Sequence, residues 1–182
     1  MNEVRPWQKD DIPLLINYFL SADTGYIMAM GADPKKLPSF DSWSESLNQE
    51  INLPPEEQQY FYMIWMLDDL AVGHCNVNYI QYGQRANMHL HMWQSDNRRS
   101  GMGVKYVGLS VPHFFKRFQL QELYCEPYAN NPAPNKTLPK VGFEFIKKYN
   151  CIPGPINFQQ DVCQYRILKD QVGQFYHPPM TN

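Results

Sequence analysis

The chain predicts an α+β fold, with one largely antiparallel sheet flanked by helices. Two observations carry that reading. Three β-rich apolar runs, YFYMIWML (60–67), LAVGHCNVNYI (70–80) and ANMHLHMW (86–93), follow one another across short polar turns, as an antiparallel meander does. Segments with helical spacing precede and follow them. The predicted order is β-α-α-β-β-β-α-β-α-β-β.

Each element has its own signal. EVRPW (3–7) reads as a first strand. Asp10 or Asp11 can cap a helix that carries Pro13 in its first turn and an apolar stripe of Leu14, Leu15, Tyr18 and Phe19. SFDSWSESLNQEINLPP (39–55) reads as a second helix. Trp43, Leu47 and Ile51 form its stripe, and Pro54-Pro55 stops it. After the meander, Val104, Val107, Val111 and Phe115 recur at helical spacing from Gly101 onward, and Pro112 is expected to kink or end that helix. LQELYCEPY (120–128) returns as a strand. Asn135 can cap a short helix with Pro139 in its first turn, and Gly142 can close it. FEFIKKY (143–149) and VCQYRIL (162–168) are the last strands.

Bulk properties bound the class. A length of 182 residues with 43% hydrophobic and 14% aromatic residues supports a single domain over 1–182 with its own core. Cys75, Cys125, Cys151 and Cys163 form no CxxC pair, so free thiols are expected rather than a disulfide framework. The first residues lack a basic-then-apolar leader, and no run approaches the about 18 apolar residues of a membrane span. The expected location is therefore cytoplasmic, with no membrane partner. A net charge of -2 argues against a nucleic-acid partner.

One stretch, NMHLHMWQSDNRRSGMG (87–103), concentrates the chemistry. In Arg98-x-x-Gly101-x-Gly103 the glycines allow a tight turn at the start of a helix. Free amides, the helix dipole and the charges of Arg98 and Arg99 there favour an anion such as a diphosphate. A basic turn that merely caps the helix is the alternative. A dinucleotide-binding fold is disfavoured, because the preceding strands form a meander and not a βαβ unit.

Strand, Arg-x-x-Gly-x-Gly, helix, strand and then ANNPAPNKTLPKVGF (129–143) resembles the GNAT superfamily of acetyl-CoA-dependent N-acetyltransferases over essentially the whole chain. Asn131 and Gly142-Phe143 match the family's Asn, about ten residues, Gly-Phe pattern. Glu126, Pro127 and Asn131 are similar to the Glu/Asp-Pro-x-x-x-Asn of acetyltransferases in siderophore assembly and aminoglycoside resistance. The layout also resembles ribosomal-protein acetyltransferases. The resemblance implies a GNAT fold with acetyl-CoA as co-substrate and no metal. Amides from Arg99, Ser100, Gly101, Met102, Gly103 and Val104 would hold the pyrophosphate, with Arg98 beside them. Backbone groups of Met92 and Trp93 would pair with the pantetheine arm and steady the oxyanion, Asn131 would bond that arm, and Lys136 would approach an outer phosphate. Pro134 and Leu138 stand where relatives carry a Ser and a Tyr, so no general acid carries over at those positions.

His89 and His91 lie two apart, so a strand places both imidazoles on one face. That suits a metal, and Gly83…His89-x-His91…Asp96…Gly103 follows the first motif of the cupins. The second cupin motif is missing: Pro112-His113 and His177-Pro178 lack the glycine spacing, and a cupin is nearly all strand. Under the acetyltransferase resemblance the same histidines become bases for the amine proton, His89 first and His91 in reserve. Glu126, at the neighbouring strand end, would bind a substrate cation or assist as base. The structural alternative for each is a backbone-bonded histidine and an ordinary strand-end carboxylate. The first two helices would wall the acceptor pocket, offering Tyr26, Trp43, Asp41, Glu45 and Glu50 for a cationic amine. A solvated helix face is the alternative there. The segment GYIMAMGADP (25–34) is adaptable but specifies no ligand.

The expected function is acetyl transfer to an amine by direct attack in a ternary complex. A lysine-like amine or a hydroxylamine stands first among acceptors, an aminoglycoside second and a protein N-terminus third. Two rivals are a non-catalytic acyl-CoA-binding module and a cupin-like metal protein. A homodimer through the long hairpin is a further expectation.

Overall fold

The structure, a computed structural model, describes residues 2–93 and 101–173. A seven-stranded sheet runs in the order β1-β2-β3-β4-β5-β7-β6. Its strands are β1 (Asn2–Pro6), β2 (Phe61–Leu67), β3 (Leu70–Gln81), β4 (Arg85–Met92), β5 (Glu122–Cys125), β6 (Glu144–Cys151) and β7 (Gln160–Leu168). All neighbours pair antiparallel except β4 and β5. Pro6 closes a strand at the sheet edge, where a missing donor costs no ladder bond.

The helices are α1 (Ile12–Leu20), α2 (Thr24–Ala29), α3 (Phe40–Glu50), α4 (Met102–Phe118) and α5 (Pro132–Val141). The expected order holds, with α2 as an addition. Asp23 starts α2 by accepting bonds from the amides of Gly25 and Tyr26. Six residues are too few for an apolar period, so only the cap was there to be read. Asp11 stands before α1 but does not cap it. Its buried carboxylate takes both nitrogens of the Arg5 fork, at 2.6 and 2.8 Å, and the Gln8 amide at 2.7 Å.

Two proline expectations need correction. The helix α4 runs through Pro112 without a break. Pro112 is exposed, whereas Val111, Phe114, Phe115 and Phe118 around it are buried, and that burial outweighs the about 3 kcal/mol an interior proline costs. α5 begins at Pro132 and is capped by Asn131, not Asn135, so Pro139 lies in its interior. Asn135 instead donates to the carbonyls of Tyr128 and Asn131. Gly142 closes α5 as expected, with φ at 107°.

The core lies between the sheet and α4. Trp65 and Tyr106 stack with ring centres 5.2 Å apart. The Trp65 indole donates to Ser110 at 3.1 Å, and the Tyr106 hydroxyl donates to the Met66 carbonyl at 2.8 Å. These contacts fix α4 on one face of the meander. α1 and α3 pack together, and the cavity they wall lies on the face that carries His74, His89 and His91.

Candidate active site

β4 and β5 are parallel and pair only from Arg85↔Glu122 to Met88↔Cys125. β5 ends there, while β4 continues through His89 to Met92. A wedge therefore opens between the two strands. Trp93 donates its amide to the Val72 carbonyl at 2.9 Å, on the β3 side. Strand alternation then turns the amides and carbonyls of Leu90 and Met92 towards the wedge. This corrects one expectation and extends another. Met92 and Leu90 turn their backbone groups towards the wedge, whereas the Trp93 amide is bonded to β3.

Two cavities meet at this wedge. The first is lined by Tyr18, Tyr26, Leu90, Met92, Gly101, Gly103, Val104, Asn131, Lys136 and Thr137, among others. Gly101 precedes α4 with φ at 73°, a conformation suited to glycine, and the first-turn amides of α4 lie beyond it. Lys136 is exposed at this cavity, and Lys140 lines it too. The Asn131 oxygen accepts from the Ala133 amide at 3.3 Å, which leaves its NH2 group outside that bond. Pro134 and Leu138 are buried, so neither position supplies a proton donor. Arg98, Arg99 and Ser100 of the expected anion seat, and Asp96, lie outside the described residues.

The second cavity, of about 330 Å³, lies on the His89 and His91 face. Phe19 of α1, Trp43 and Leu47 of α3, and Tyr62, His74, Asn76 and Asn78 of β2 and β3 wall it. Residues 153–157 close the far side, held by Asn157 Nδ2 on the Gly31 carbonyl at 2.8 Å and by the Asp33 amide on the Ile156 carbonyl at 2.7 Å. His91 lines both cavities, so it stands where their contents would meet.

The expected pair, His89 and His91, does share one face of β4. His89 Nε2 lies 3.0 Å from Asn78 Oδ1, which makes Nε2 the protonated nitrogen and leaves the lone pair on Nδ1. Burial pushes His89 down to about 4, partly offset by the Glu126 charge. Burial, then His89, pushes His91 down to about 3. Burial, then its two neighbours, holds His74 well below the ordinary histidine range. All three imidazoles are neutral at pH 7.

Sequence reasoning missed His74, Tyr18 and Asn78. His74 Nδ1 accepts the Trp93 indole N–H at 2.8 Å, so Nε2 carries the proton, and that buried N–H has no partner among the described residues. The Tyr18 hydroxyl lies 2.8 Å from the Tyr26 hydroxyl, 3.2 Å from Met30 Sδ and 3.4 Å from His91 Nδ1. These residues come from β3 and α1. No local motif joins them to His89-x-His91: the β3–β4 ladder brings His74 and Asn78 beside it, and the seating of α1 brings Tyr18.

Glu126 stands just past the end of β5. It accepts from Tyr149 at 2.7 Å, Gln164 at 2.5 Å and Asn87 at 3.5 Å, and it lines a narrow groove with His89 and His91. The acidic helix face is placed differently from expectation. The Glu50 carboxylate is buried and accepts the Gln59 and Tyr60 amides, so it fastens the loop into β2. Asp41 and Glu45 are exposed and do not line the cavity. Trp43 does line it, whereas Tyr26 lines the other. An open sheet with a 17-residue α4 is no barrel, so the cupin reading falls.

Known structures share this architecture. A spermidine N-acetyltransferase from Vibrio cholerae, in complex with CoA and spermine, superposes with a TM-score of 0.76 at 18% identity, over 94% of this chain and 97% of that one. A ribosomal L7/L12 α-N-protein acetyltransferase in complex with coenzyme A gives 0.74 at 14% identity, over 93% and 95%. An aminoglycoside acetyltransferase in complex with coenzyme A gives 0.70 at 13%, over 96% and 98%. No curated protein sequence matches the chain. The family model described as "Acetyltransferase (GNAT) domain" matches residues 3–144. Wedge, glycine-led helix and helix-closing Gly-Phe all fall within that match or at its border, and the chain belongs to the GNAT acetyltransferase family.

Proposed function

We propose that the protein is an N-acetyltransferase that moves the acetyl group of acetyl-CoA to an amine within a ternary complex. The wedge between β4 and β5 carries this reading. Past Cys125 it leaves the edge of β4 turned towards an extended arm, with Leu90 on that edge, one cavity on each side and His91 lining both. The amides of Gly101, Met102 and Gly103 would receive the pyrophosphate together with Arg98, Arg99 and Ser100, whereas the expected Val104 amide already donates to the Gly101 carbonyl at 3.1 Å. Asn131 would donate to the arm, and Lys136 would meet the outer phosphate.

In the chemical step the amine nitrogen attacks the thioester carbonyl carbon. Its lone pair forms the C–N bond, and the C=O electrons move onto oxygen, where the Met92 amide stabilises them. Collapse breaks the C–S bond, and the electron pair leaves on the thiolate. The surplus amine proton passes to His89 Nδ1, directly or through water, with His91 in reserve and Glu126 favouring the charged imidazole. A proton must also reach the thiolate. With Leu138 buried and apolar, the Tyr18–Tyr26 hydroxyl pair in the arm's cavity is the available donor.

The buried Leu138 also favours a second reading, a module that binds acyl-CoA without turnover. Release of free thiol on mixing protein, acetyl-CoA and an amine panel supports the enzyme. CoA binding without thiol release would support the module. The enzyme reading keeps a homodimer through the β3–β4 hairpin and a cytoplasmic location as expectations, and sedimentation reads the first.

A further inference from the structure

The acceptor cavity on the His89 face has an unusual wall for a site that would take a cationic amine. None of the residues lining it is Asp, Glu, Lys or Arg. Its wall is aromatic (Phe19, Trp43, Tyr60, Tyr62), apolar or neutral polar, with amides at Asn76, Asn78 and Asn157, hydroxyls at Ser42 and Ser46 of α3, and the three histidines. The acidic residues nearest in sequence are turned to other work: Glu50 is spent on backbone amides, and Asp41 and Glu45 face solvent. Among the described residues lining the two cavities and the groove that joins them, Glu126 is the single carboxylate, and it already accepts three bonds.

A polyamine in this cavity would carry charges with no counter-charge, and desolvating them would cost more than aromatic contact returns. The wall contains one unmet demand, and it is not for a cation. The His74 Nε2–H is buried and has no partner among the described residues, and its tautomer is set by Trp93. A buried donor asks for an acceptor atom on the ligand. A cation offers none.

Resting on the acetyltransferase reading, we infer that the acceptor is an amine already uncharged at neutral pH. It is of the aromatic-amine or alkoxyamine class, carried on a flat apolar body with a hydrogen-bond acceptor that His74 Nε2–H receives. The neutral imidazoles fit this acceptor. Bases as weak as His89 and His91 are poorly matched to strip an alkylammonium. They are adequate for the far more acidic proton of the nitrogen once it has attacked the carbonyl. Atoms balance as in the general step: the N–H proton leaves to imidazole, the acetyl carbon gains nitrogen, and CoA leaves as thiol.

The test is thiol release at pH 7.5 with acetyl-CoA and four probes: 4-methoxyaniline, O-benzylhydroxylamine, benzylamine and spermidine. CoA binding is measured in parallel by calorimetry. The expected result is kcat/KM at least tenfold higher for the two uncharged probes than for benzylamine, and lowest for spermidine. Ser46→Glu, which sets a carboxylate in the α3 wall, should narrow the gap by raising the spermidine value. His74→Phe should raise KM for 4-methoxyaniline, whose ether oxygen loses its donor, while His74→Gln restores part of it. Spermidine or benzylamine as the better substrate of the unaltered protein would overturn this inference and leave the enzyme reading intact. CoA binding with no thiol release from any probe would overturn both.

Discussion

Acid should destabilise this protein through its buried histidines. His74, His89 and His91 are neutral in the folded state and ordinary in the unfolded chain. Below pH 6.5 the unfolded chain therefore binds more protons, and stability falls with pH. The contribution is fully present above pH 6.5 and is lost as pH falls towards the folded values of about 4 for His89 and about 3 for His91. Between pH 7 and pH 5 His89 and His91 each remove about 2 kcal/mol, about 4 together, and His74 adds to the loss in the same direction. His89 and His91 keep some solvent contact in the cavity, which reduces their sum to about 3 kcal/mol. That is a large share of the about 5–15 kcal/mol that holds a domain together. Urea unfolding followed by tryptophan fluorescence at pH 7 and pH 5 measures the difference. His74→Gln, which can still accept the Trp93 indole N–H, should make the loss between pH 7 and pH 5 smaller. Equal stability at the two pH values, within about 1 kcal/mol, would refute the neutral-histidine cluster.

Two further predictions concern turnover. His89→Ala should leave CoA affinity unchanged and lower kcat by about 10²-fold, with the optimum of the residual activity shifted upward. Unaltered activity would remove His89 from the mechanism. Tyr18→Phe deletes the hydroxyl that lies between Tyr26 and His91, and should lower kcat about tenfold with acceptor KM held. A change confined to KM would make Tyr18 a pocket wall and not a proton donor.

What the sequence disclosed follows from how local each signal is. The meander, the α4 stripe and Gly142 were legible because period and turn chemistry act over a few residues. His89, His91, Met92, Gly101, Gly103 and Asn131 were legible because a short motif carries them, and the fold brings them to one wedge. Prolines misled the reading. Propensity places Pro112 and Pro139 at helix ends, whereas burial of Phe114, Phe118, Leu138 and Val141 carries both helices through. His74, Tyr18 and Asn78 were illegible. Each acts through a partner on another element, set by strand register or by the seating of α1. That Met92 and not Trp93 turns its amide to the wedge was hidden for a related reason: which amide faces the wedge depends on the phase of the β3–β4 ladder.

That phase makes Gly73 the most exacting position near the site. Gly73 pairs with Met92, and a Cβ built on it would lie 2.5 Å from the His91 carbonyl and 2.6 Å from Trp65 Cε3. Neither neighbour can yield easily. One is ladder backbone, and the other is an indole stacked on Tyr106 and bonded to Ser110. Gly73→Ala must therefore push β4 away from β3, towards the wedge. Overpacking of this kind costs about 1–3 kcal/mol, which chemical unfolding measures. The displaced residues are His91 and Met92, so CoA affinity should fall as well, even where the protein stays folded. Gly83→Ala is the contrast. Its φ of 76° disfavours alanine too, but open space surrounds it, far from the wedge, so stability should fall with CoA affinity unchanged. If Gly73→Ala weakened the fold and left CoA binding as it was, the β4 edge would not be the surface along which the thioester lies.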